Sequence, residues 1–84
     1  SQQTRPLKFT YKEQREFEQI DEIIADLEKE INYVNIELEE AASDFELLPK
    51  LLSKKEHLQK QLDEAMERWV YLNELAESIA SRKI

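Results

Sequence analysis

In 84 residues there are 12 Lys and Arg against 19 Asp and Glu, a formal net charge of −7, with no cysteine and no glycine. Without cysteine there is no disulfide framework, thiolate nucleophile or cysteine-held metal. Without glycine no Gly-rich loop cradles a phosphate, and the tight turns of sheets and barrels lack their usual residue. A chain that is 37% charged and 8% aromatic leans toward a long helix or coiled coil, in one domain at most.

The opening Ser1-Gln2-Gln3-Thr4 has no apolar signal region, and no run of 18 apolar residues spans a membrane. Starting at Ser1 rather than Met points to a piece of a larger protein. The missing signal and missing cysteines fit a cytoplasmic setting. Residues 1–8 hold little to bury and are expected to be a linker or tail.

From about Thr10 the pattern changes. Phe17, Ile20, Ile24, Leu27, Ile31, Val34, Leu38 and Ala41 step alternately by three and four, a heptad repeat sustained for over three heptads. This predicts helix one over about 10–42. The interruption Ser43-Asp44-Phe45-Glu46-Leu47-Leu48-Pro49 predicts a tip at about 43–48. Ser43 and Glu46 have capping-box spacing, whereas Pro49 belongs in a first helical turn. The expectation is a short helical turn near 44–47, then helix two from Pro49 to about residue 80. Within helix two the alternating step runs through Leu48, Leu51, Lys55, Leu58, Leu62, Ala65, Trp69, Leu72, Ala76 and Ile79. Lys55 alone interrupts its apolar character; such a lysine fixes register at some cost in stability.

The two repeats fit each other as a hairpin. In an antiparallel pair, facing residue numbers have a constant sum. Phe17 with Leu72, Ile20 with Trp69, Ile24 with Ala65, Leu27 with Leu62, Ile31 with Leu58, Val34 with Lys55, Leu38 with Leu51 and Ala41 with Leu48 all add to 89. The same register sets Glu37 near Lys54 for an interhelical ion pair of small energy. Glu56, Lys60, Glu64 and Arg68 step by four along helix two, a supporting charge ladder. Trp69 is expected to pack in the seam. Leu7, Phe9 and Tyr11 are expected to fold back over helix two near Trp69 and Tyr71. The expected fold is all-α, an antiparallel two-helix coiled-coil hairpin over 9–82 with a short N-terminal tail.

Arms of about 30 residues are about 45 Å long at 1.5 Å per residue, with one narrow seam and no room for the water-excluded pocket that catalysis needs. His57, the only histidine, has no partner ligand nearby, so no metal site is expected. The many carboxylates sit on convex helix surfaces, so no catalytic residue and no cofactor is assigned to this chain.

Charge is unevenly placed. Between Glu13 and Glu46 stand 13 acids with only Arg15 and Lys29 as bases, whereas Leu48 to Lys60 carries Lys50, Lys54, Lys55 and Lys60 against Glu56. These four lysines at the tip suit phosphate contact as point charges. At the open end Arg5, Lys8, Lys12 and Arg15 precede the repeat, and Arg82 and Lys83 follow it. Hairpin closure gathers them beside Glu13 and Glu16. The candidate nucleic-acid contacts are therefore Lys50, Lys54, Lys55 and Lys60 at the tip and Arg5, Lys8, Lys12 and Arg15 at the base. The bland alternative is a solvated face at the tip and a charged linker at the base. On that alternative Tyr33, Ile36 and Phe45 serve a protein partner, or the hairpin is a spacer.

The stretch from Lys8 to Glu18 resembles the K-L-S-Y-K-E-Q-R-E-L-E opening of the C-terminal domain of ABC-F ATPases of the Uup type. Lys8, Tyr11 to Glu16 and Glu18 match; Phe9, Thr10 and Phe17 depart conservatively. Glu67-Arg68-Trp69-Val70-Tyr71-Leu72 resembles the family's Y-x-R-W-x-x-L close, with Met66 where an aromatic is common. The likeness covers about residues 7–75, and its middle would match many coiled coils. The resemblance implies a cytosolic parent with two tandem ATP-binding cassettes and no membrane spans, acting on translating ribosomes or nucleic acid. ATP and Mg²⁺ belong to those cassettes and not to this chain. The chain would be a monomeric, non-catalytic C-terminal arm, linked in cis to the ATPase domains. It would contact DNA or ribosomal RNA weakly, in a salt-sensitive way.

Overall fold

The computed structural model describes residues 7–82. It contains two helices, α1 (Tyr11–Glu40) and α2 (Leu47–Arg82), packed antiparallel as a hairpin with extents of 64 × 23 × 17 Å. The all-α coiled-coil hairpin expected from the two repeats is the fold observed. The expected 1–8 tail lies largely outside the described residues; Leu7 to Thr10 form a short non-helical lead into α1.

The seam holds the residues that the heptads select. Ile20, Ile31, Val34, Ala41, Leu51, Leu58, Leu62 and Leu72 are buried. Ile31, Val34, Leu58 and Leu62 form one cluster, with Ile24, Leu27 and Leu38 packed against it. Lys55 occupies the seam position facing Val34 and is half-buried. It also borders a shallow hollow on the outer face of α2 with Glu56 and Lys60. A long aliphatic stem lets a lysine do both, covering apolar surface while its ammonium reaches water.

α1 starts with a capping box that the sequence reading passed over. The Thr10 hydroxyl accepts from the Glu13 backbone N–H at 3.1 Å, and Glu13 Oε1 accepts from the Thr10 N–H at 3.0 Å. Two donors that a helix start leaves unpaired are thereby satisfied. Thr-x-x-Glu was visible in the chain as its signal.

The reversal between the helices is built without a left-handed residue. Helices commonly end on a positive-φ glycine, but this chain has none, and no described residue has positive φ. α1 instead ends at Ala41, φ −99° and ψ 18°, and the Asp44 N–H donates to the Ala41 carbonyl at 2.9 Å. Asp44 then starts α2: its Oδ1 accepts from the N–H groups of Glu46 (3.1 Å) and Leu47 (3.0 Å). The Ser43–Glu46 spacing forms no capping box, and α2 begins at Leu47 rather than at the expected Pro49. The Asp44 carboxylate supplies an acceptor one residue closer to the new helix. Pro49, lying within the first turn, needs no donor there.

Three further expectations are corrected. Glu37 and Lys54 make no ion pair, and Glu37 Oε1 is buried without a hydrogen-bond partner. Arg68 leaves the Glu64 ladder for a carboxylate on the other helix. Tyr11 does not fold over α2; it is 78% exposed, because the first turn of α1 points it outward. Phe9 turns inward instead, its ring 5.0 Å from that of Phe17.

Candidate functional site

The two stretches that carried the family resemblance meet at the open end of the hairpin. Arg68 donates from Nε to Glu16 Oε2 and from Nη2 to Glu16 Oε1, both at 2.7 Å, a forked pair across the helices. The same guanidinium lies 4.7 Å from the centre of the Tyr71 ring. The Tyr71 hydroxyl donates to Glu13 Oε2 at 2.8 Å, so Glu13 serves both the capping box of α1 and α2. One turn further in, the Trp69 indole N–H donates to Asp21 Oδ1 at 2.8 Å. Trp69 is 40% exposed rather than packed away. Its polar edge is held by a carboxylate and its apolar body covers the flank of the seam, the usual compromise for an amphipathic ring.

This clasp is electrostatically self-consistent. Hydrogen bonding from the Thr10 backbone, then from Tyr71, holds the Glu13 carboxyl below its ordinary value. The Arg68 fork does the same for Glu16. In return Glu16 raises Arg68, and the bond to Glu13 raises the Tyr71 phenol. Each group is held in the charge state that the others require. The sequence reading did not pair these residues: its register sets Glu13 opposite Ala76 and Glu16 opposite Asn73, and the long side chains reach back along the helices to Tyr71 and Arg68.

The candidate basic residues fall into unequal groups. On α2, successive residues turn by about 100°, so Lys50 and Lys54 lie close together on one flank and Lys60 points away from the seam. Lys55 lies nearest the seam. Lys50, Lys54 and Lys60 are exposed. Lys54 borders a hollow on the α1 flank with Lys29, Glu30, Tyr33 and Ile36. Lys55 and Lys60 border the outer face of α2 together with Glu56 and Asp63. The structure thus spreads the four tip lysines over different faces. At the base, Lys12 and Arg15 are brought together with Arg68 around a hollow that also includes Glu16, Gln19 and Ile23. Lys8 is exposed just before α1. Arg5 lies outside the described residues. The exposed apolar side chains of the tip half include Tyr33 (65%), Ile36 (51%) and Phe45 (84%), with Leu47 and Leu52.

Among the described residues no group of His, Asp or Glu has the arrangement of a metal site. No described helix is long and apolar enough to cross a membrane.

The described residues form a helical hairpin clasped at its open end. Residues 8–74 match the family described as the ABC transporter C-terminal domain, and the chain belongs to that family. It is 31% identical over 74 residues to the Bacillus subtilis (strain 168) protein named "Uncharacterized ABC transporter ATP-binding protein YfmR". That alignment takes in 88% of this chain and 12% of the relative's length. No solved structure matches the chain. The matched region is thus a C-terminal domain of the kind that ABC ATP-binding proteins carry.

Proposed function

We propose that the chain is the non-catalytic C-terminal arm of a cytoplasmic ABC-F ATPase of the Uup type, and that it contacts DNA or ribosomal RNA through local basic patches. On this reading the hairpin is monomeric, and ATP and Mg²⁺ are held by ATPase domains joined to it in cis. The observation that carries the reading is the state of the cations. Among the described residues only Arg68 is committed to an ion pair, while Lys12, Lys50, Lys54 and Lys60 stand exposed on a protein of net charge −7. Exposed cations suit the phosphate backbone, whose contacts supply most of non-specific affinity and make it fall with salt.

The test is a titration of the 84-residue chain with short duplex DNA and with a ribosomal RNA fragment, following backbone amide shifts at low salt and at about 0.15 M ionic strength. Shifts confined to residues around Lys8–Arg15 or Lys50–Lys60, fading with salt, support the arm. An absence of shifts at low salt removes autonomous nucleic-acid contact.

A second reading is a protein-docking or spacer hairpin. It is favoured by the exposed Tyr33 and Ile36 beside the hollow on the α1 flank and by Phe45 at the tip. Changing Lys50, Lys54 and Lys60 together to Glu separates the two, because it removes polyanion contact at the tip and keeps the apolar side chains of Tyr33, Ile36 and Phe45 in place.

A further inference from the structure

We infer that the contact surface is the base of the hairpin rather than its tip, and that its ligand is single-stranded nucleic acid, one base stacking on Tyr11 while Lys12 and Arg15 hold the neighbouring phosphates. The inference rests on the nucleic-acid reading above and adds to it the face and the strandedness.

Three features converge at the base. Tyr11 is 78% exposed, and its hydroxyl accepts from Arg15 Nη1 at 3.4 Å, which sets an aromatic face beside a guanidinium. Lys12 and Arg15 are three apart on α1, so their side chains start about 5–6 Å from each other, close enough to engage adjacent phosphates of one strand. The one acid lining the hollow that Lys12 and Arg15 share, Glu16, is already neutralised by the Arg68 fork. The shared hollow therefore carries a local excess of positive charge in an acidic protein. Exposed aromatic faces interleaved with backbone-binding cations are the general means of holding unpaired bases. The tip lacks this convergence. Lys60 shares its face with Glu56 and Asp63. Tyr33 shares a hollow with Lys29, Lys54 and Glu30, but no cation there pairs with the acid or bonds the ring's hydroxyl as Arg68 and Arg15 do at the base.

A duplex offers phosphates but keeps its base faces stacked, so the two substrates separate the contributions. The experiment uses fluorescence anisotropy of an oligouridine of about 12 nucleotides and of a DNA duplex. The proteins are the wild-type chain, Tyr11→Ala, Lys12→Glu with Arg15→Glu, and Tyr33→Ala with Lys54→Glu. The altered side chains are all exposed, and circular dichroism checks that each hairpin remains folded.

Tyr11→Ala should weaken oligouridine binding by roughly fivefold or more and leave duplex binding unchanged. The Lys12/Arg15 reversal should weaken both. The Tyr33/Lys54 variant should lose less affinity for either probe than the Lys12/Arg15 reversal. With two phosphate contacts, log affinity for the single strand should fall with log salt at a slope of about −1.4. Equal losses on strand and duplex for Tyr11→Ala overturn the single-strand assignment. Wild-type binding that only the Tyr33/Lys54 variant loses overturns the base assignment while sparing the nucleic-acid reading. No binding of either probe by the wild-type chain removes both.

Discussion

The forked pair between Glu16 and Arg68 is the strongest directed contact across the open end, and its energy can be isolated. Two unit charges about 4 Å apart interact by about 1 kcal/mol in water and about 4 kcal/mol at a protein-surface dielectric. The side chains of Arg68 and Glu16 remain 46% and 26% exposed, which places the pair toward the aqueous limit. Exposed pairs measure about 0.2–1 kcal/mol, and two parallel bonds of 2.7 Å put this one at the upper end. The expected coupling in a cycle of Glu16→Ala, Arg68→Ala and the double variant is therefore about 1 kcal/mol. Arg68→Ala alone should cost more than Glu16→Ala alone, since the guanidinium also covers Tyr71. Arg68→Lys should keep less than half of the coupling, because an ammonium has no fork. Trp69 is the sole tryptophan and is bonded to Asp21 beside the pair, so its fluorescence reads urea unfolding from within the clasp. The coupling should shrink in 1 M NaCl, where the screening length is about 3 Å. A coupling below about 0.2 kcal/mol, or one indifferent to lysine at position 68, would refute the view that this fork fastens the hairpin.

Three further outcomes are expected. Leu72, with no exposed surface, should cost about 2–3 kcal/mol on change to Ala, measured by urea unfolding; a two-helix seam can relax around the void, so the low end of the Leu→Ala range applies. Asp44→Ala removes the acceptor for two backbone N–H groups at the start of α2 and should lower stability by about 1 kcal/mol, seen as a lower thermal midpoint. The clasp carboxylates set a pH dependence whose sign is fixed. Glu13 and Glu16 are depressed below their ordinary 4.5 in the folded chain. Their stabilisation is therefore complete above about pH 4.5 and is lost as pH falls through the lower folded values. Comparing wild type with Glu13→Gln plus Glu16→Gln by urea midpoint should show the largest gap near neutrality and a vanishing gap in strong acid. A constant gap would contradict this.

Much of the hairpin is already implicit in the chain. Alternating steps of three and four from Phe17 to Ala41 and from Leu48 to Ile79 specify one apolar stripe per helix, and a constant sum aligns them. This works because seam burial is a periodic, additive property of neighbouring turns. The family likeness is also legible, since Tyr11 to Glu16 and Arg68-Trp69 are local strings. Less of the candidate site was legible. A basic residue within a string says nothing of the helix face it takes. Lys50, Lys54, Lys55 and Lys60 look like one patch in sequence and are divided among faces by the turn of α2.

The composition and heptads alone determined that this protein is a glycine-free helical hairpin. Only the tertiary structure decided what its polar residues do. It sent Arg68 to Glu16 instead of Glu64, joined Tyr71 to Glu13, left Glu37 without its lysine and turned Tyr11 outward beside Arg15. Apolar burial follows a repeat that any stretch of chain displays. A directed hydrogen bond depends on where two side chains from distant turns come to rest, and that is settled when the helices pack.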